Sequence, residues 1–177
     1  SVARLAAHLA ATGRGTVATP DVPTTPTVAD VPEMPAGRYP ATAAQSQVAF
    51  LDRLAPGNRA YLTQSLLTLH GELDVDALHG AIQDLTDRHE HLRTRYAFDE
   101  HGTLTGWIEP ALRVELARHD LREVPPWMRE AEAGRIVAAV TGAGIDPARL
   151  PLLRWCLMRL GTRQHRLLVV EHHYVHD

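Results

Sequence analysis

Two apolar runs near the end of the chain constrain its fold more than any other feature. Residues 152–160 read LLRWCLMRL and residues 166–172 read RLLVVEH, with Gly161-Thr162-Arg163-Gln164 between them. Runs of this length, closed by a glycine-led turn, predict two strands of a hairpin.

Upstream the periodicity changes. Residues 42–54 read as a helix capped by Thr42, with Ala44, Val48, Leu51 and Leu54 inward, and Pro56-Gly57-Asn58 breaks it. Residues 62–69 alternate loosely, as a strand would. Residues 74–87 place Val75, Leu78, Ile82 and Leu85 on one helical face behind an Asp74 cap. Residues 92–98 and 104–108 read as a hairpin about a turn at 99–102, and residues 114–116 as a short strand. Pro125-Pro126 opens a helix to about residue 140, closed by Gly142 and Gly144. The order helix, strand, helix, hairpin, helix, hairpin predicts an α/β or α+β layer fold, with helices packed on a sheet.

The chain has 177 residues, 45% of them hydrophobic and 22% charged, which suits one soluble domain with its own core. A single cysteine, Cys156, excludes an internal disulfide framework and suits a reducing compartment. Its apolar strand neighbours mark it as core rather than nucleophile. No apolar run is long enough for a membrane span, and the first residues lack the basic start and cleavage site of a signal peptide. A formal charge of −3 argues against a nucleic-acid footprint. The expectation is a cytoplasmic protein with neither a nucleic-acid nor a membrane partner.

The N-terminal segment has a different character. Residues 1–13 carry Val2, Leu5, Ala6 and Leu9 at helical spacing, with Ser1 as cap and Gly13 as terminator. Residues 14–38 include five prolines and show no hydrophobic period, which predicts an extended linker. The folded part is expected over residues 39–177.

Three of the eleven histidines fall in the last six positions. Glu171, His172, His173, Tyr174, Val175, His176 and Asp177 follow an apolar strand directly. The segment reads either as a polar tail or as a site mounted on a strand end. Continued extension would put His173 and Asp177 on one side and His172 and His176 on the other. The spacing matches neither a helical H-E-x-x-H set nor a Cys/His finger, so no metal is expected. A second polar segment, residues 88–96, reads RHEHLRTRY. Basic residues there complement a helix dipole, which is a sufficient structural reason for them.

Taken together, these segments resemble the condensation domain of nonribosomal peptide synthetases. That family carries R-H-E-x-L-R-T-x-F, matched at 88–96 except for Tyr96 in place of phenylalanine. Its active-site motif is H-H-x-x-x-D-G; residues 172–177 read HHYVHD, and the chain ends where the glycine would follow. Its opening motif, S-x-A-Q-x-R-L-W-x-L, is matched more loosely by TAAQSQVAFL at 42–51, with Gln47 for arginine, Val48 for leucine and Ala49 for tryptophan.

The resemblance implies the N-terminal lobe of a chloramphenicol-acetyltransferase-like fold over residues 39–177. The missing C-terminal lobe would complete a tunnel fed by an upstream and a downstream carrier domain. Substrates would arrive on phosphopantetheine arms, with no cofactor held by this segment. An acceptor amine would attack a donor thioester to form an amide. His173 would be the catalytic histidine. His172 and Asp177 would support the site, with Arg88 or Arg93 as ion-pair partner of Asp177. Residues 1–13 resemble the last helix of a carrier domain, although no G-G-x-S attachment site is present. Residues 1–177 alone are expected to be inactive. An epimerisation domain of the same fold and a non-catalytic carrier-docking module are the alternatives.

Overall fold

The computed structural model describes residues 37–55, 57 and 59–175. The expected N-terminal helix and all but the last two residues of the expected linker lie outside that range, as do His176 and Asp177.

The chain opens with a short strand β1, Arg38–Pro40, followed by helix α1, Ala43–Leu54. Strand β2 is Leu62–His70 and helix α2 is Val75–Arg88. A 3-10 turn, Glu90–Arg93, leads into the hairpin of β3, Thr94–Phe98, and β4, Leu104–Ile108. Then come β5, Leu116–Asp120, and helix α3, Arg129–Gly142, entered through a 3-10 turn at Pro126–Met128. The hairpin of β6, Leu153–Arg159, and β7, Gln164–His172, ends in a 3-10 turn, His173–Val175.

The strands form two sheets, ordered β1-β4-β3 and β2-β7-β6-β5. All neighbours are antiparallel except β5 and β6, which α3 joins as a parallel crossover. The larger sheet is covered on both faces. Cys156, Met158, Leu168 and Val170 pack under α3 with Ala133, while Leu157 and Leu167 pack under α2 with Ile82. Alternate side chains of the central hairpin therefore enter different cores, which is why its sequence is apolar without alternation. Cys156 is 1% exposed, and burial pushes its thiol pKa up, as befits a core side chain. A third core joins α1 and the small sheet to the end of the large one, through Val48, Ala49, Tyr96, Leu104, Leu153, Tyr174 and Val175.

Thr42 caps α1 through a reciprocal box. The Gln45 amide N–H donates to Thr42 Oγ1, and the Thr42 amide N–H donates to Gln45 Oε1. The inward face of α1 differs from the expected one. Val48 and Ala49 are buried, with Gln45, Leu51 and Asp52 partly so; Val48 and Leu51 are inward as expected, whereas Ala44 is exposed and Leu54 is 66% exposed. The stripe runs 45, 48, 49, 52, and its ends are polar. Other differences are smaller, and one is that the short strand expected at 114–116 is β5 at Leu116–Asp120. Leu92 belongs to the 3-10 turn rather than to β3, Leu85 is half exposed, and β1 carries no hydrophobic pattern from which to predict it.

Candidate active site at the end of β7

Strand β7 does not continue beyond His172, so the extension considered for this segment stops there among the described residues. The chain instead folds into the 3-10 turn, and the two adjacent histidines part company. His172 is 4% exposed, while His173 is exposed. The turn is pinned by backbone bonds on both sides. The His172 amide donates to the Leu152 carbonyl across 2.9 Å, and the His173 amide donates to the Tyr61 carbonyl across 2.8 Å. The Tyr61 ring also flanks His173, with centroids 6.3 Å apart.

The His172 imidazole bridges two elements. Its Nδ1 accepts the Tyr174 amide N–H across 3.3 Å, and its Nε2 lies 3.5 Å from Oδ2 of Asp52 on α1. The second contact is long for a hydrogen bond but has a donor facing an acceptor. Burial lowers the His172 pKa, the neighbouring His173 adds to that effect, and Asp52 opposes it. The ring is therefore neutral near pH 7. Tyr174 stacks on it with centroids 4.5 Å apart and on Tyr96 with centroids 4.7 Å apart.

Tyr96 connects the three motifs. Gln45 from the first donates to its hydroxyl, Tyr39 shares a hydrogen bond with it, and Tyr174 from the last lies against its ring. Burial, followed by the Tyr39 hydroxyl, raises the Tyr96 phenol above its ordinary value.

The two arginines are placed differently. Arg93 Nη1 donates to the Glu109 carbonyl across 2.6 Å, and its Nη2 lies 3.3 Å from Glu90. Arg88 ends α2, exposed, and forms no ion pair with a described residue. Asp177, expected to pair with one of them, lies outside the described residues. Sequence reasoning did not single out Asp52, Tyr61 or Tyr174. Asp52 left a signal, a carboxylate one turn beyond Val48 and Ala49 on the buried stripe. Among the described residues no three metal-ligating side chains gather, and no helix is long and apolar enough to cross a membrane.

A mixed α/β lobe with a double histidine held where a central strand ends defines a protein of the chloramphenicol-acetyltransferase-like fold. The condensation domain family model matches residues 36–177, and the chain belongs to that family. A linear gramicidin synthase protein from Brevibacillus parabrevis is 38% identical over 138 residues, covering 78% of this chain and 2% of that protein. Phosphinothricin tripeptide synthetase PhsC from Streptomyces viridochromogenes is 35% identical, covering 80% of this chain and 13% of that protein. Among solved structures, the first condensation domain of the calcium-dependent antibiotic synthetase, bound to a substrate analogue, superposes with a TM-score of 0.69 at 28% identity. That match covers 77% of this chain and 32% of the other. The starter condensation domain of rhizomide synthetase RzmA gives a TM-score of 0.70 at 20% identity, over 79% of this chain and 34% of the other, and shows the fold alone. The chain thus spans about a third of the solved domains and a small part of the curated relatives.

Proposed function

We propose that this chain is the N-terminal lobe of a condensation domain that joins two carrier-bound substrates through an amide bond, with His173 as its catalytic histidine. In this reaction an aminoacyl amine attacks the carbonyl carbon of an upstream thioester. The carbon–sulfur bond breaks, the thiol of the donor's phosphopantetheine arm leaves, and the amine gives up a proton. An α-amine has a pKa near 8, so a useful fraction is neutral at about pH 7 and a strong base is not required. His173 then serves mainly to orient the amine and to relay its proton.

The observation that carries this reading is the division of labour in the turn. The buried, neutral His172 fixes the backbone, and the exposed His173 is presented from it. On the same reading Asp177 is a structural carboxylate paired with Arg88 or Arg93. Residues 1–13 end a carrier domain, residues 14–38 link it to the lobe, and the enzyme is cytoplasmic. Its partners are two carrier domains and the C-terminal lobe.

The test is amide formation between two loaded carrier proteins by the complete domain that contains this chain. His173→Ala is expected to lose most of the rate while carrier binding persists. Exchange of the donor's α-hydrogen with solvent, without amide formation, would replace this reading by the epimerase. Carrier binding with neither reaction in the wild type would leave a docking module.

A further inference from the structure

We infer that Asp52 is a positioning residue of this site, acting through His172 on the turn that presents His173. The inference deepens the proposed function and rests on it for its kinetic part. It begins with one hydrogen bond and one close contact on the His172 ring. The Tyr174 amide points at His172 Nδ1, so that nitrogen is an acceptor and carries no proton in the neutral ring. The ring proton is then on Nε2, and the group facing it is the Asp52 carboxylate. A donor and an acceptor on opposite edges of one ring fix both its tautomer and its rotation.

His173 lies inside the closed loop this makes. The His172 imidazole reaches over His173 to the Tyr174 amide, so the ring clasps the backbone on both sides of the exposed histidine. Rotation of His172 would release the Tyr174 amide and leave the turn with its two backbone bonds alone. The Asp52 side chain is 24% exposed and His172 4%, so the carboxylate stands between the buried ring and solvent. Both line a cavity of about 360 Å³ with Arg59 and Asp146. Loss of the carboxylate would open the Nε2 edge to water in that cavity and leave the ring free to turn. Asp52 is fixed in turn by the buried stripe of α1, anchored by Val48 and Ala49. The effect needs only a small displacement, because a shift of about 1 Å at a reacting group costs up to about 100-fold in rate.

The experiment uses the complete condensation domain, with Asp52→Ala and Asp52→Asn. Asparagine keeps an acceptor oxygen toward Nε2, and alanine does not. Asp52→Ala is expected to lower kcat roughly 10- to 100-fold with the KM for both loaded carriers within about twofold. Asp52→Asn should recover most of that loss. Nitrogen-15 shifts of His172 give a readout independent of turnover. The wild type should show a protonated Nε2 and a bare Nδ1, and Asp52→Ala should blur that distinction. A wild-type kcat in Asp52→Ala, equal losses in both variants, or an unaltered His172 tautomer would overturn the inference. If the wild-type domain forms no amide, the functional reading falls, and the tautomer measurement still decides the clasp.

Discussion

The hydroxyl oxygens of Tyr39 and Tyr96 lie 2.6 Å apart, and Gln45 Nε2 donates to the Tyr96 oxygen across 3.0 Å. One phenol on β3 thus links β1 and the cap of α1. The motif it belongs to has phenylalanine at this position in the family it resembles, so Tyr96→Phe is the obvious reversion. It would leave the Gln45 amide without its acceptor and the Tyr39 hydroxyl without its hydrogen-bond partner. The expected cost is about 1–2 kcal/mol, read as a lower urea midpoint at unchanged m-value. A Tyr39→Phe/Tyr96→Phe double variant should lose less than the sum of the singles. Equal or greater stability in Tyr96→Phe would show that the bond contributes nothing.

Gly106 makes that arrangement sterically feasible. It pairs with Tyr39 on one side and Tyr96 on the other, and a Cβ there would stand 2.8 Å from Tyr39 Cζ. The Tyr39 ring could move only by giving up its bond to Tyr96. Gly106→Ala is expected to cost about 1–3 kcal/mol, as overpacking does. In a Tyr39→Ala background the same substitution should become nearly neutral. A full cost persisting in that background would place the strain elsewhere.

These contacts also mark where the sequence was legible. The central hairpin, the capped helices and the β3–β4 turn follow from local rules, because caps, turn residues and period are written within a few positions. The inward face of α1 does not. Ala44 and Leu54 extend a conventional apolar stripe along the sequence, yet both are exposed, and the buried stripe begins at Gln45 and ends at Asp52. Each polar end has a partner far along the chain, Tyr96 for Gln45 and His172 for Asp52. No local window along the sequence contains both. For the same reason the paired histidines are visible as a motif, while the separation of a buried ring from an exposed one required the 3-10 turn.

The two candidate arginines should separate in stability. The Arg93 side chain is 13% exposed and satisfies the Glu109 carbonyl with a charged donor, so Arg93→Ala should cost about 1.5–3 kcal/mol. Arg93→Lys should recover only part, since one ammonium cannot reproduce the guanidinium's contacts with both Glu109 and Glu90. Arg88 is exposed at the end of α2, and Arg88→Ala should fall within about 0.5 kcal/mol of wild type if Asp177 pairs with Arg93. Comparable losses in both alanine variants, measured by urea unfolding, would instead give Asp177 to Arg88.

Acid should weaken the fold through histidines held neutral. Burial depresses the His172 pKa below 6.5, with His173 in the same direction and Asp52 against it. Burial also lowers those of His91 and His165. A depressed pKa means that the unfolded chain takes up a proton before the native one does. Stability is then complete above about pH 6.5, falls as pH drops from there through each native pKa, and levels off below it. Protonating His172 would also place a second N–H against the Tyr174 amide, so this histidine couples the acid loss to the turn that carries His173. Asp52 and His173 act on it directly, and Arg59 and Asp146 line the cavity beside it. His172→Asn retains an acceptor near the Nδ1 position and cannot titrate. Its unfolding free energy should fall less steeply between about pH 7 and pH 5, the difference reaching at most about 1.4 kcal/mol per pH unit for one proton. Parallel pH profiles for the wild type and His172→Asn would assign the acid loss to His91 and His165 and would show that His172 carries its proton as readily folded as unfolded.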